Sequence, residues 1–234
     1  MAYTKRFDGR KFDEMREMEA KVGIIKRATG SAMFRAGKTV AIAAVYGPRG
    51  LFPAFLQNPK GARLKCVYDL LSFSVTERKR PGPSRRSTEI NLVTEQALGP
   101  VLDLTKFSYM GLDVYVYITQ ADAGTRCAGI NAASLALADA GIPMKELISA
   151  IAVGKVSDKI VVDLDKAEED HEDGATDLPI AMAPRTGELT LLQMDGNMSQ
   201  EEIKEALEMG KKACDEIKEV QIAALKAKYS EAKK

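Results

Sequence analysis

Apolar and polar residues alternate through much of the first third of the chain, with the period of two that is typical of β-strands. The turn pairs Thr29-Gly30 and Gly37-Lys38 interrupt this alternation. Connections this short join antiparallel neighbours, so we expect an antiparallel meander. The strands predicted here, with an apolar one that follows them, cover residues 21–28, 31–36, 39–46 and 63–75.

Helices are predicted where apolar residues recur at intervals of three and four. Gly141-Ile142-Pro143 stops the alanine-rich second helix, and Ser199 with Glu202 forms a capping box before the last one. The predicted helices cover residues 90–101, 127–140 and a segment that begins at 199, and the remaining strands cover 112–120, 147–155, 159–164, 180–183 and 188–194. No flexible linker separates these elements, which indicates a single α+β domain.

Composition excludes some classes of protein. The 234 residues are 45% hydrophobic and 29% charged, as in an ordinary globular domain. Lys and Arg (34) nearly cancel Asp and Glu (33), so a site for a polyanion has to come from local clustering of charge. The longest apolar stretches are too short to cross a bilayer, and the N-terminus lacks the apolar segment of a secretory signal. We therefore expect a cytoplasmic protein without membrane contact.

The cysteines and the single histidine limit the chemistry further. Cys66, Cys127 and Cys214 are widely separated, so the sequence supports neither a disulfide framework nor a zinc site. His171 is the only histidine, which excludes a multi-histidine metal site and argues against a Ser-His-Asp triad. Catalysis would then rest on carboxylates, arginines and backbone groups.

A turn of small residues, 121–126, connects a predicted strand to the alanine-rich helix. The first N–H groups of a helix have no intrahelical partner and lie at the positive end of its dipole, so they attract anions. Thr125 adds a hydroxyl group, and Arg126 adds a guanidinium group that can bind phosphate through two hydrogen bonds. The simpler alternative is that Asp122 or Thr125 only caps the helix.

Five cations occur within residues 78–86, and the Pro81-Gly82-Pro83 triplet keeps most of this segment from forming a regular element. We name residues 78–86 the basic loop. The simpler alternative is that such a run of charge forms a solvated surface and binds nothing. Its concentration in a chain of net charge +1 favours a site for a polyanion, because arginine pairs with phosphate bidentately.

Residues 165–177 are rich in acidic side chains and predict an exposed loop. A solvated surface is again the simpler alternative. The apolar segment 178–182 follows at once, so we expect Asp177 to lie at the edge of the core. A carboxyl group held there, close to phosphates, can donate a proton if its pKa is raised, or can bind Mg²⁺.

Four segments resemble the RNase PH family, and within it the RNase PH-like catalytic subunit of the archaeal exosome. They are RFDGRKFDEMR, TERKRPGPSRRSTEI, TQADAGTRCAGINAASLALADAGIPM and LDKAEEDHEDGATDLPIAM. The resemblance covers essentially the whole chain. It implies mixed β-sheets packed with helices, as in the second domain of ribosomal protein S5. Within this single domain, we expect residues 1–142 to contain the predicted phosphate site at the turn 121–126. Residues 143–234 are expected to contain the acidic loop and the last helix.

The resemblance also assigns roles to particular residues. The matches are Gly124, Thr125 and Arg126 for inorganic phosphate, Arg85 and Arg86 for the RNA backbone, and Asp170 and Asp177 for catalysis or Mg²⁺. Further cations expected along the RNA are Arg78, Arg80, Arg63 and Lys65. The family places its two acids six residues apart, whereas Asp170 and Asp177 are seven apart, so Glu169 is an alternative for the first position.

The implied reaction is phosphorolysis of single-stranded RNA from its 3′ end, with inorganic phosphate as co-substrate and nucleoside diphosphates as products; in reverse it extends 3′ tails. The implied assembly is a hetero-hexameric ring with a homologous non-catalytic subunit and RNA-binding cap subunits. We expect residues 47–61 to form a long exposed loop with the apolar side chains of Leu51, Phe52, Phe55 and Leu56.

Two other functions are weighed against this one. A non-catalytic, RNA-binding subunit of the same ring would keep the fold and the basic loop, but it would lack the acids that this chain retains. A kinase or other nucleotide-binding protein would need a glycine-rich phosphate loop. The sequence contains neither the GxxxxGK[ST] nor the GxGxxG pattern.

Overall fold

Two β-sheets and a helix between them form the core of the protein. The computed structural model describes residues 3–171 and 174–231. The elements are, in chain order, β1 (Met18–Val22), β2 (Gly30–Ala36), β3 (Thr39–Gly50), β4 (Arg63–Leu70), α1 (Arg85–Leu98), β5 (Met110–Gln120), α2 (Thr125–Asp139), β6 (Ser149–Val156), β7 (Lys159–Val162), α3 (Lys166–Glu169), β8 (Ala175–Ala183), β9 (Glu188–Leu192) and α4 (Gln200–Glu231). The sheets have the orders β1-β2-β3-β5-β4 and β7-β6-β8-β9. The predicted α+β class is confirmed.

The first three strands pair antiparallel, which confirms the predicted meander. The strand predicted over 21–28 is wrong, because β1 lies earlier and ends at Val22. Gly23 has a φ of 73°, and its N–H donates to the carbonyl oxygen of Ser31, so the chain leaves the strand there. Glycine adopts this left-handed conformation with little strain, and the alternating pattern around it concealed the turn.

Strand β4 lies at the edge of the first sheet and runs parallel to β5. The strand predicted over 63–75 is too long, since β4 ends at Leu70. The chain turns there, and the N–H of Ser74 donates to the carbonyl oxygen of Leu71. This turn leads toward the basic loop and the start of α1.

Helix α2 is buried along nearly its whole length because it packs against strands of both sheets. Its small residues permit this close packing. A Cβ atom on Gly129 would lie 3.1 Å from Val116 and 3.3 Å from Tyr68, so this position has little room for a side chain. The turn before α2 is therefore anchored at the centre of the molecule.

The acidic segment 165–177 is not a loop throughout, which corrects the prediction. Its start forms the short helix α3, because Asp165 and Glu168 cap each other. Its end belongs to β8, where Asp177 pairs with Gly154 of β6. Glu172 and Asp173 lie outside the described residues. Asp177 is thus held by a strand at the edge of the core.

The other predicted elements agree with the structure more closely. Helix α1 begins at Arg85, where the basic loop ends, and Ser84 and Ser87 form a capping box that the sequence reading missed. The capping box of Ser199 and Glu202 before α4 is confirmed. Strand β8 begins five residues earlier than predicted, at 175 rather than 180. In the described parts of the chain, no helix has the length and apolar character to cross a membrane.

Candidate functional site

A cavity of about 640 Å³ lies where α1, α2, α3 and the second sheet meet. Residues from distant parts of the sequence line it, and most of them are charged or polar. Among them are Arg86, Arg126, Glu169, Asp170, Asp177 and Asp195. The structure therefore brings together Arg86 of the basic loop, Arg126 of the small-residue turn 121–126, and the candidate carboxylates.

The turn before α2 presents backbone N–H groups without a side-chain cap. Gly124 precedes the helix in a left-handed conformation, with φ 60° and ψ 19°. Gly124, the residue at the cap position, has no side chain that could accept a hydrogen bond, so the described residues give no support to the alternative that Asp122 or Thr125 caps the helix. Gly124 and Thr125 do not line the cavity, whereas Arg126, one residue further, does.

The guanidinium group of Arg126 is oriented by two side chains from other elements. Its Nη1 donates to Oε1 of Gln193, which follows β9, and lies 3.9 Å from Oε1 of Glu89 on α1. The amide of Gln193 in turn donates to Glu89 at 3.1 Å. The sequence did not predict either partner. Arg126 and Gln193 are 67 positions apart, so no local pattern signals their contact.

Asp177 is a half-buried carboxylate near two cations. Its backbone exchanges hydrogen bonds with Asp195, and its Oδ1 atom is buried without a hydrogen-bond partner among the described residues. Burial raises the pKa of Asp177, and the neighbouring charge of Asp195 raises it further, whereas Arg126 and Arg86 oppose the shift. Asp177 can therefore hold a proton at a higher pH than an exposed aspartate.

The two alternatives for the first catalytic acid have different surroundings. Asp170 is exposed, and its Oδ1 lies 2.7 Å from the ammonium nitrogen of Lys166. Glu169 is more buried, and its pKa is raised by burial and then by the charge of Asp177. Both line the cavity. The charge of Asp177 is thus one cause of the raised pKa of Glu169.

The remaining predicted cations lie away from this cavity. Arg78, Arg80 and Arg85 are exposed and do not line it. Arg63 and Lys65, on β4, line a separate cavity of about 240 Å³ against α1. The structure thus groups Arg86 with the carboxylates and leaves the other five cations on surrounding surfaces.

The candidate carboxylates do not form a metal cage by themselves. Within residues 3–171 and 174–231, no three or more His, Cys, Asp or Glu side chains come together as a metal site. Mg²⁺ commonly uses one or two carboxylates and completes its coordination with water and substrate phosphates. Asp170 and Asp177 both line the cavity and carry the carboxylate oxygens that such a site would use, with a phosphate supplying further ligands.

The chain is similar to known proteins along most of its length. Domain 1 of the 3′ exoribonuclease family (RNase PH) matches residues 14–143, and domain 2 matches residues 146–213. The exosome complex component Rrp41 of Methanopyrus kandleri is 49% identical over 96% of this chain and 93% of its own length. Its counterpart in Thermococcus kodakarensis is 50% identical over 96% of this chain and 90% of its own length.

Two solved structures share the fold. Rice Rrp46 superposes with a TM-score of 0.84 and 26% sequence identity, over 94% of this chain and 100% of that one. A chain of the Archaeoglobus fulgidus exosome, solved with RNA bound to the active site, gives a TM-score of 0.79 at 20% identity, over 92% of each chain. At that identity, the second likeness shows the fold alone.

Proposed function

Because the chain belongs to the RNase PH family of 3′ exoribonucleases, we propose that it shortens RNA from the 3′ end by phosphorolysis, as a catalytic subunit of an exosome. The observation that carries this proposal is the cavity that Arg86 and Arg126 line together with the half-buried Asp177. Cations for two phosphates and a group that can hold a proton are what this reaction requires.

Phosphorolysis brings two anions together, the free phosphate and the last phosphodiester of the RNA. Their repulsion in a partly enclosed site has to be offset by fixed positive groups. Arg126 and the uncapped N–H groups at the start of α2 would bind the attacking phosphate. Arg86, with Arg85 beside it on the surface, would hold the RNA backbone.

An oxygen of the bound phosphate attacks the phosphorus atom of the last phosphodiester. The bond from that phosphorus to the 3′-oxygen of the penultimate nucleotide breaks. The products are a nucleoside diphosphate and an RNA shorter by one nucleotide. The leaving 3′-oxygen takes a proton from a carboxyl group. Asp170 is the donor that the resemblance implies, and Glu169 is its alternative. Asp177 would share the proton. Alternatively, Asp177 and Asp170 would hold Mg²⁺, which would neutralise phosphate charge.

The same family membership supports an assembly. The relatives are named as exosome complex components. This chain would alternate with a homologous non-catalytic subunit in a six-membered ring, with RNA-binding cap subunits on one face, and act in the cytoplasm. A purely non-catalytic role for this chain is disfavoured, because the cavity keeps both cations and acids.

The proposed function is tested by degrading a single-stranded RNA, labelled at its 5′ end, at increasing concentrations of inorganic phosphate. We expect the rate to rise with phosphate and to saturate, and chromatography to show nucleoside diphosphates. Excess nucleoside diphosphate is expected to extend the RNA. Release of nucleoside monophosphates at a rate independent of phosphate contradicts the proposal. The purified chain and the chain with its ring partner are assayed in parallel.

A further inference from the structure

The segment before β1 carries two buried arginines, Arg6 and Arg16, that reach the backbone on which the candidate site is built. Arg6 and Arg16 are 2% and 9% exposed, and both contact Asp163, the residue after β7. Arginine is rarely buried unless its charge is paired, because removing the charge from water is costly. Two buried arginines that meet at one residue form a network, and its two ends reach α2 and α3, which both contribute residues to the lining of the cavity.

One end of the network holds the turn before α2. The Nε and Nη2 atoms of Arg16 donate to Oδ2 and Oδ1 of Asp163 at 2.8 and 2.7 Å, and its Nη1 donates to the carbonyl oxygen of Asp122. The hydroxyl of Thr39 lies 2.8 and 2.7 Å from the carbonyl oxygens of Asp122 and Ala123. The N–H of Asp122 donates to the same hydroxyl at 2.9 Å. We name Arg16 and Thr39 the turn arm.

The other end holds α3, the helix that carries Glu169 and leads into Asp170. The Nε and Nη2 atoms of Arg6 donate to the two carboxylate oxygens of Glu168, both at 2.8 Å. The hydroxyl of Tyr3 donates to Glu168 at 2.6 Å. Burial opposes the charge of Glu168, but the hydrogen bonds from Arg6 and Tyr3 outweigh burial and lower its pKa. We name Arg6 and Tyr3 the helix arm.

We propose that the two arms are positioning devices for separate parts of the reaction. The turn arm sets the backbone that binds inorganic phosphate, and the helix arm sets the carboxyl groups that move the proton. This inference rests on the proposed function. None of the four side chains is among the described residues that line the cavity, so they act through the backbone. Because the arms end on different groups, we expect them to control different kinetic constants.

A matched pair of variants tests the turn arm. Thr39→Val keeps the shape of the side chain and removes its hydroxyl, whereas Thr39→Ser keeps the hydroxyl. We expect Thr39→Val to raise the KM for phosphate roughly three- to tenfold, the effect of about one hydrogen bond, without changing kcat. Thr39→Ser is expected to keep the wild-type KM for phosphate. Arg16→Lys, which cannot reach both Asp163 and Asp122, is expected to raise the KM for phosphate as well.

Tyr3→Phe tests the helix arm, since it removes only the hydroxyl that binds Glu168. We expect it to lower kcat roughly two- to tenfold and to leave the KM for phosphate unchanged. All variants are assayed as full chains, with the ring partner where turnover requires it. Each assay is run below the variant's unfolding temperature, so that loss of folded protein is not mistaken for a change in KM.

The wild-type protein separates failure of the function from failure of the inference. If its turnover ignores phosphate, the proposed function is wrong, and the inference falls with it. If the wild type is phosphorolytic but Thr39→Val and Arg16→Lys leave the KM for phosphate unchanged, the inference alone is overturned. The inference alone is also overturned if Thr39→Val and Tyr3→Phe have the same effects on the KM for phosphate and on kcat. If Arg16→Lys does not fold, the two Thr39 variants and Tyr3→Phe still test whether the arms control different kinetic constants.

Discussion

Asp177 illustrates how one residue can favour chemistry and oppose stability. Its pKa is raised, chiefly because its carboxyl group is buried. The surroundings of Asp177 disfavour the charge of its ionised form, and its Oδ1 atom has no hydrogen-bond partner among the described residues. Such a position is costly for a structural residue and useful for one that holds a proton or binds a cation.

Asp177→Asn is expected to raise the melting temperature at neutral pH. A folded-state pKa above the unfolded value means that the stability contributed by this group is present below an aspartate's ordinary pKa, about 3.9, and is lost as the pH rises through the raised pKa. Asparagine avoids that loss. Since one pKa unit corresponds to about 1.4 kcal/mol, the size of the gain measures the shift in the pKa of Asp177.

Thermal unfolding of Asp177→Asn and wild type between pH 4 and pH 8 checks this expectation. The difference in melting temperature is expected to shrink as the pH falls toward about 4. Asp170→Asn is the control, because an exposed ion pair contributes only about 0–1 kcal/mol. A lower melting temperature for Asp177→Asn at pH 7 would show that the ionised carboxylate stabilises the fold.

Amide variants of the two neighbouring acids decide which one donates the proton. Asp170→Asn keeps the size and polarity of the side chain but cannot donate a carboxylic proton. We expect it to reduce turnover by at least ~10²-fold with RNA binding retained. Glu169→Gln is the matched control, and it is expected to keep most of the activity. The opposite pattern, in single-turnover assays with separate RNA-binding measurements, would assign the role to Glu169.

At the scale of elements, the sequence predicted the alanine-rich helix α2 and the small-residue turn before it, although α2 begins at Thr125 rather than at residue 127. A small-residue turn ahead of an alanine-rich helix indicated exposed N–H groups, and the structure has such a turn without a side-chain cap. The supports of that turn were not predictable, because Arg16 and Thr39 contact it across 106 and 83 residues of sequence. Local patterns carry no information about such contacts.

Gly124→Ala tests how far the turn depends on its conformation. Gly124 has a φ of 60°, and an added Cβ atom would lie 3.3 Å from Nη2 of Arg16. We expect a loss of about 1–2 kcal/mol in the free energy of unfolding, the cost of a left-handed non-glycine residue. We also expect weaker phosphate binding, measured by titration calorimetry.

Gly99→Ala is the control for this variant. Gly99 has a right-handed conformation with a φ of −51°, and nothing lies within 4 Å of its added Cβ atom. It is expected to change stability by less than Gly124→Ala, and in the stabilising direction by about 0.4–1 kcal/mol. If chemical denaturation gives equal effects for both variants, the conformation of Gly124 is not what holds the turn.

The errors in element prediction have physical causes too. Alternation over 21–28 resembled a strand, but a left-handed glycine inside it ends β1 at Val22. Acidic composition over 165–177 resembled a loop, but Arg6 neutralises Glu168 and lets α3 form against the core. Composition reports average exposure, whereas a buried ion pair depends on a partner 162 residues away.

At the scale of the whole molecule, exposed apolar side chains indicate an assembly. Residues 47–61 do not form a loop throughout, because β3 continues to Gly50. Beyond it, Phe52 is 91% and Phe55 83% exposed, as predicted, whereas Leu51 and Leu56 are half-buried. Large exposed aromatic residues in one segment are typical of contact with a partner or a ligand. Arg63 and Lys65 on the neighbouring strand add positive charge suited to an RNA strand.

We expect the chain and its non-catalytic relative to form a hexamer whose central opening admits single strands only. Light scattering gives the mass of the complex. An RNA with a stable hairpin and a 3′ tail is then expected to stop shortening several nucleotides before the base of the hairpin. A monomeric, fully active chain that trims to the base would contradict both the assembly and the opening.

We expect inorganic phosphate, rather than water, to attack the RNA, and isotope labelling of the solvent distinguishes the two. The RNA is digested in water enriched in ¹⁸O with unlabelled phosphate, and the released nucleotides are analysed by mass spectrometry. Phosphorolysis predicts nucleoside diphosphates without ¹⁸O, because every oxygen comes from RNA or phosphate. Nucleoside monophosphates that carry one ¹⁸O atom would show hydrolysis and contradict the account.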